Sequence, residues 1–303
     1  MAKIYANELW RTINNQVVNG LTDNDLESFR EPGNSFNSRV TTWGAYDNTY
    51  RYYKNILFNT AMEMPQEFFD LYKKIPNTRV GNPLCVTVSG LKINMEYLFS
   101  VQEIMFLGQE FLKREGGVNS CTEIGGGYGR LCHAVIELFP NISSYTMVDL
   151  APMQKVSKMY LSKVLPSNQF KKVNFVEVNE VDKLDNFDLA ININSFAEMR
   201  KEHVDEYLNI INNKANMFYS RNTIGKYTAE SIGLLEYDEK QMKSALESGK
   251  CQNEIDIFDS DILISEIRNY LKSYRPDNRW IVIKDEISYP YTYYHHVLYA
   301  KSS

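Results

Sequence analysis

Long apolar runs are missing from this chain of 303 residues, which excludes a membrane-spanning helix. The opening residues, MAKIYANELWRTINNQ, lack the charged-then-apolar order of a secretory leader. Cysteine is scarce: Cys85, Cys121, Cys132 and Cys251 show no CxxC spacing. Neither a disulfide scaffold nor a zinc site is implied, and a reduced, cytoplasmic setting is expected. An excess of basic residues is also absent. The net charge of −5 gives no footprint for nucleic acid as a partner.

What is present is ordinary for a globular protein, at 44% hydrophobic and 23% charged, with one exception. Twenty-one tyrosines and fifteen phenylalanines are many, and they gather at 42–53 and 288–296. Tyrosine combines an apolar face with a polar tip, which suits semi-buried packing as well as sugar or adenine contact.

Residues 1–115 read as a mainly helical region, a cap for substrate or a surface for a homo-oligomer. Pro65 opens one helix, and NMEYLFSVQEIMFLGQEFLKRE forms a longer one ending at Gly116 and Gly117. From 116 to 303 strands and helices alternate. Strands are expected at 120–124, 144–149, 173–178, 187–193, 216–220, 280–288 and 295–302, with a helical insertion at about 221–278. Strands separated by helices imply a mostly parallel sheet, here a Rossmann-like α/β fold of seven strands whose last two form an antiparallel pair.

The first of these strands runs into Gly125-Gly126-Gly127-Tyr128-Gly129, and a helix follows in which Leu131, Val135 and Leu138 share one face. Glycines let a ligand approach the backbone, and a helix start offers free N–H groups. Asp149 closes the second strand, 20 positions after Gly129, where an acidic residue takes ribose hydroxyls. A dinucleotide fingerprint needs a third small residue. That position is Arg130 or Cys132 in the two registers, so the fingerprint fails.

Glu123-x-Gly125-x-Gly127-x-Gly129 instead resembles the first motif of class I S-adenosylmethionine-dependent methyltransferases. With EIGGGYGRL, YTMVDLAP and INSFAEM, over roughly residues 80–225, the chain is similar to the bacterial sugar O-methyltransferases of surface polysaccharide pathways. Ala151 departs from that pattern. The resemblance implies that Glu123, Gly125, Gly126, Gly127, Tyr128, Gly129, Asp149 and Leu150 hold S-adenosyl-L-methionine, Asp149 through both ribose hydroxyls. The fold alone places adenine near the end of the third strand, around Val178, Asn179 and Glu180, and Asn194 and Ser195, closing the fourth strand, are expected against the cofactor.

Ser195 and Glu198 have the spacing of a capping box, and Glu198 is also a candidate for binding substrate or removing a proton. His203 follows within reach of the cleft. His133 lies off the Leu131 face and is expected at the surface, while His295 and His296 point to opposite sheet faces. Arg221, Asn222 and Arg51 are candidates for a sugar or nucleotide-sugar substrate, Arg221 for a diphosphate. A divalent metal stays open in place of a base, without a ligand cluster to support it. Sugar N-methylation and a nucleotide-dependent sugar oxidoreductase stay open as alternatives.

Overall fold

The computed structural model describes residues 49–108, 117–233 and 238–302. The N-terminal region up to 48, with the first part of the 42–53 aromatic run, lies outside them, as does the expected end of the long helix at 109–116. The chain divides into two compact units, 1–56 and 57–303. The helical pair expected in the N-terminal region thus belongs to the unit that carries the sheet.

That unit is built on a seven-stranded sheet. Its strands are β3 (Ser120–Ile124), β4 (Ser144–Asp149), β5 (Val173–Glu177), β6 (Phe187–Ile193), β7 (Ala215–Thr223), β8 (Trp280–Ile287) and β9 (Tyr294–Lys301), in the order β5-β4-β3-β6-β7-β9-β8. The first five run parallel, and β9 lies antiparallel between β7 and β8. The expected sheet is therefore observed. Near-continuous burial along β3 and β6 reflects helices packed on both faces. A small hairpin, β1 (Val86–Val88) with β2 (Leu91–Ile93), precedes the long helix of this region.

The helices are α1 (Thr49–Met62), α2 (Gln66–Tyr72), α3 (Met95–Leu107), α4 (Arg130–Leu138), α5 (Ala151–Val164), α6 (Ser167–Phe170), α7 (Lys201–Lys214), α8 (Glu239–Leu246) and α9 (Ser260–Ser273). Pro65 is the residue before α2, not its first. Asn94 caps α3 by accepting from the Tyr97 N–H at 3.0 Å, and Gly108 ends it with φ 90°. The α3 helix buries Glu103, which grips Arg130 of α4 through two bonds of 2.6 and 2.7 Å.

That packing overturns one expectation. His133 is fully buried, because α4 is covered on both faces. Its Nδ1 meets the Tyr97 hydroxyl at 2.5 Å, which in turn meets the Tyr160 hydroxyl at 2.6 Å. Burial pulls its imidazole down to about 4, so it is neutral at physiological pH. His295 and His296 do face opposite sides: His295 Nε2 meets Asp285 at 2.8 Å, and His296 Nδ1 meets the Tyr219 hydroxyl at 2.7 Å.

The sheet order reverses beside β3, since the chain leaves it for β4 and β5 on one side and returns to β6 on the other. Strand ends splay apart at such a point and leave a crevice at their C-terminal edge. Gly125, Asp149, Val178 and Ser195, one from each of four strand ends, line that crevice.

Candidate functional site

The glycine loop is fixed from beneath. The Gly125 N–H donates to the Val148 carbonyl at 2.8 Å. Gly125 has φ 73°, and a Cβ there would overlap Ser195, so only glycine fits. A Cβ at Gly126 would stand 2.7 Å from Met147 Cε and 2.9 Å from Glu123 Oε2. Glu123 is thus a floor under the loop. It accepts a 2.8 Å bond from the Tyr145 hydroxyl, and burial pushes its carboxyl up to about 7 against the pull of that bond.

Asp149 is held at the rim. Its Oδ2 accepts from the Gly127 N–H at 3.1 Å and its Oδ1 from the Leu150 N–H at 2.8 Å. An ionised carboxylate offers about four acceptor sites, so capacity remains for two further donors. Beside it opens a cleft of about 640 Å³, walled by Val148, Met153, Val178, Val181 and Ile210, with Glu198 and His203 at its polar end.

A second cleft, of about 570 Å³, lies across the turn that follows β6. Ser195 lines the first cleft, Asn194 the second, and Glu198 both. The turn stands between them, and Asn194 holds it with φ 66°, a left-handed conformation that asparagine tolerates better than most residues. Ser195 does not form the expected capping box. Its Oγ accepts from Asn192 Nδ2 and donates to the Ile124 carbonyl at 3.1 Å, and α7 begins only at Lys201. Tertiary bonds to the neighbouring strand have outcompeted the local cap.

Buried amides brace the turn. Asn222 Nδ2 donates to Asn192 Oδ1 at 2.9 Å, and Asn222 Oδ1 accepts from the Ala197 N–H at 3.2 Å. The Tyr270 hydroxyl, brought in by α9, accepts from the Asn222 N–H at 3.0 Å and donates to the His295 carbonyl at 2.8 Å.

Two buried cations complete the region. Lys226 lines the second cleft, 9% exposed, and donates to the Ala197 carbonyl at 2.8 Å and to Ser248 Oγ at 3.0 Å. Burial holds its ammonium below the usual lysine range. Arg221, 2% exposed, lies between the rings of Phe99 and Tyr294, 4.8 and 4.7 Å from their centres. It donates to Ser288 Oγ and to Asn194 Oδ1, while its Nη2 has no hydrogen-bond partner.

The structure therefore gathers Gly125, Gly127, Asp149, Leu150, Ser195, Glu198 and His203 around the first cleft. It puts Asn194 on the second cleft instead. Gly126 and Gly129 shape the loop without lining the cleft, and Tyr128 packs edge-on against Tyr160. Asn179 is exposed, one residue beyond the lining Val178. Arg221 and Asn222 are buried rather than solvated, and Asn222 has its side chain committed to the brace. Arg51 lies in the other unit, with its guanidinium 5.7 Å from the centre of the Tyr52 ring. Lys226 escaped the sequence reading because nothing periodic surrounds it. Among the described residues no cluster of three or more metal-ligating side chains occurs.

No family model matches this chain, and no curated protein matches it. Solved structures similar to it include the methyltransferase domain of bacterial CtHen1, at 11% identity over 69% of this chain and 100% of that one, with a TM-score of 0.49. Others are the mitomycin 7-O-methyltransferase MmcR (12% identity, 84% and 69% covered, TM-score 0.43) and human N-acetylserotonin methyltransferase (12% identity, 84% and 68% covered, TM-score 0.43). Likenesses this distant carry nothing about activity, and the fold stands on the strand order described above.

Proposed function

We propose that this protein transfers a methyl group from S-adenosyl-L-methionine to a hydroxyl of a sugar, nucleotide-activated or glycan-linked, in the making of a surface polysaccharide. The observation that carries the reading is the Asp149 carboxylate, held by the Gly127 N–H beside the apolar wall of Val148, Met153, Val178, Val181 and Ile210. A nucleoside fits that pattern, with a diol on the carboxylate and a flat base among Val178, Val181 and Ile210. The cleft volume is in the range of small-ligand sites. Gly127, beyond which a Cβ would meet nothing within 4 Å, leaves the backbone open to close approach.

When bound, the sulfonium supplies the methyl group and leaves as a thioether. The protein's residues align and exclude. Asp149 fixes the donor, and the acceptor enters from the second cleft past Glu198, the residue common to both clefts. Alignment of this kind supplies several kcal/mol of a bimolecular barrier, roughly 7–11 at the limit. Glu198, exposed to both clefts, is placed to take the hydroxyl proton, with His203 as its neighbour along the first cleft.

Calorimetry tests the donor site. S-adenosylhomocysteine should bind the unaltered chain, and Asp149→Ala should weaken it at least 100-fold; equal affinity in the variant would refute the assignment. Mass spectrometry of a nucleotide-sugar panel incubated with enzyme and donor should show the gain of one methyl on a hydroxyl.

A further inference from the structure

The second cleft contains a charge that no ion pair among the described residues neutralises. Lys226 is nine-tenths buried, and its two acceptors are a carbonyl and a hydroxyl. No described carboxylate pairs with it. Buried ammonium groups are costly unless an anion faces them. Behind the same wall stands Arg221, also buried and without a carboxylate. It touches the cleft-lining Asn194 through a 3.2 Å bond and lies against the ring of the cleft-lining Tyr294. Two cations thus act on one cleft, and among the described residues its one acidic lining side chain is Glu198, on the side shared with the first cleft.

Structural need does not explain the lysine. Its two bonds tie the Ala197 carbonyl to Ser248, and a neutral donor such as glutamine could make them without the desolvation that burial imposes.

We propose that the second cleft receives an acceptor bearing an anionic group, a carboxylate or a phosphate, and that Lys226 holds it. Arg221 is the positioning residue: its field, from behind Asn194 and Tyr294, adds to the attraction without direct contact. The remaining lining groups suit a polyol beside the anion, since Tyr227 and Tyr294 bring hydroxyl-bearing side chains to the lining. The assignment rests on the proposed methyl transfer only in treating this cleft as the acceptor's.

Calorimetry on the full chain, with inorganic pyrophosphate and with glucuronate as separate probes, decides it. Binding of pyrophosphate identifies a phosphate acceptor, and binding of glucuronate an acidic sugar. Lys226→Gln, which keeps a hydrogen-bond donor and loses the charge, should weaken the bound probe at least tenfold, and Lys226→Arg should restore part of the loss. An unchanged melting temperature and unchanged S-adenosylhomocysteine affinity in Lys226→Gln would show that the variant is folded. If neither probe binds, or if Lys226→Gln binds as well as the unaltered chain, the proposal is overturned. A chain that binds the anion through Lys226 but not S-adenosylhomocysteine would uphold this inference while removing the methyltransferase reading.

Discussion

Glu123 occupies an unusual position for a carboxyl group, sealed between the glycine loop, Met147 and Tyr145. Its pKa rises from 4.5 in an open chain to about 7 in the folded protein. Between those values the folded state keeps a proton that the unfolded state has released. Stability therefore falls as pH rises from about 4.5 to about 7, and is lower by roughly 3 kcal/mol above that window. Glu123→Gln keeps an acceptor for Tyr145 and removes the titration. Urea unfolding should show the variant more stable at pH 8 by up to about that amount, and level with the unaltered chain near pH 4. A variant with the same pH slope as the parent would show that another group is responsible.

At the scale of elements, α3 and α4 are joined by an ion pair beside the Tyr97–His133 hydrogen bond. Glu103 is completely buried and Arg130 is partly buried, joined by two parallel bonds. Glu103→Gln leaves a partly buried guanidinium without its counterion, and should cost about 3–5 kcal/mol in thermal or urea unfolding. Replacing both residues with apolar side chains should recover most of that loss. This pair also shows what a sequence conveys and what it withholds. The β3 strand, the glycine turn and Asp149 were legible because local chemistry dictates them: alternation, turn geometry and an acid closing the next strand. Arg130 was legible only as a residue that spoils a dinucleotide fingerprint, since its partner lies 27 positions away. His133 was misread because periodicity identifies an apolar face but not a helix covered on both sides. The capping box at Ser195 failed likewise, because a strand neighbour supplied a better partner than the helix. Lys226 was invisible, as its environment is assembled by Ala197 and Ser248 from either side in sequence.

For the whole molecule, a ligand that binds only the folded state should stabilise every element together. S-adenosylhomocysteine at a hundred times its dissociation constant adds about 2.7 kcal/mol. For a domain of this size that should raise the melting temperature by roughly 5–10 °C. NAD(P) should leave it unmoved, and a shift with NAD(P) alone would favour the oxidoreductase reading. The chain between β7 and β8 attaches to this assembly in two different ways. Gly225, Lys226, Tyr227 and Ser248 form a wall of the second cleft, whereas α9 sends Tyr270 under the sheet to hold Asn222 and the start of β9. A transplant of the entire stretch from another protein would carry off the anchor along with the wall. An exchange confined to 225–249 would leave the strand end tethered, so the wall can diversify from protein to protein while α9 is bound to stay.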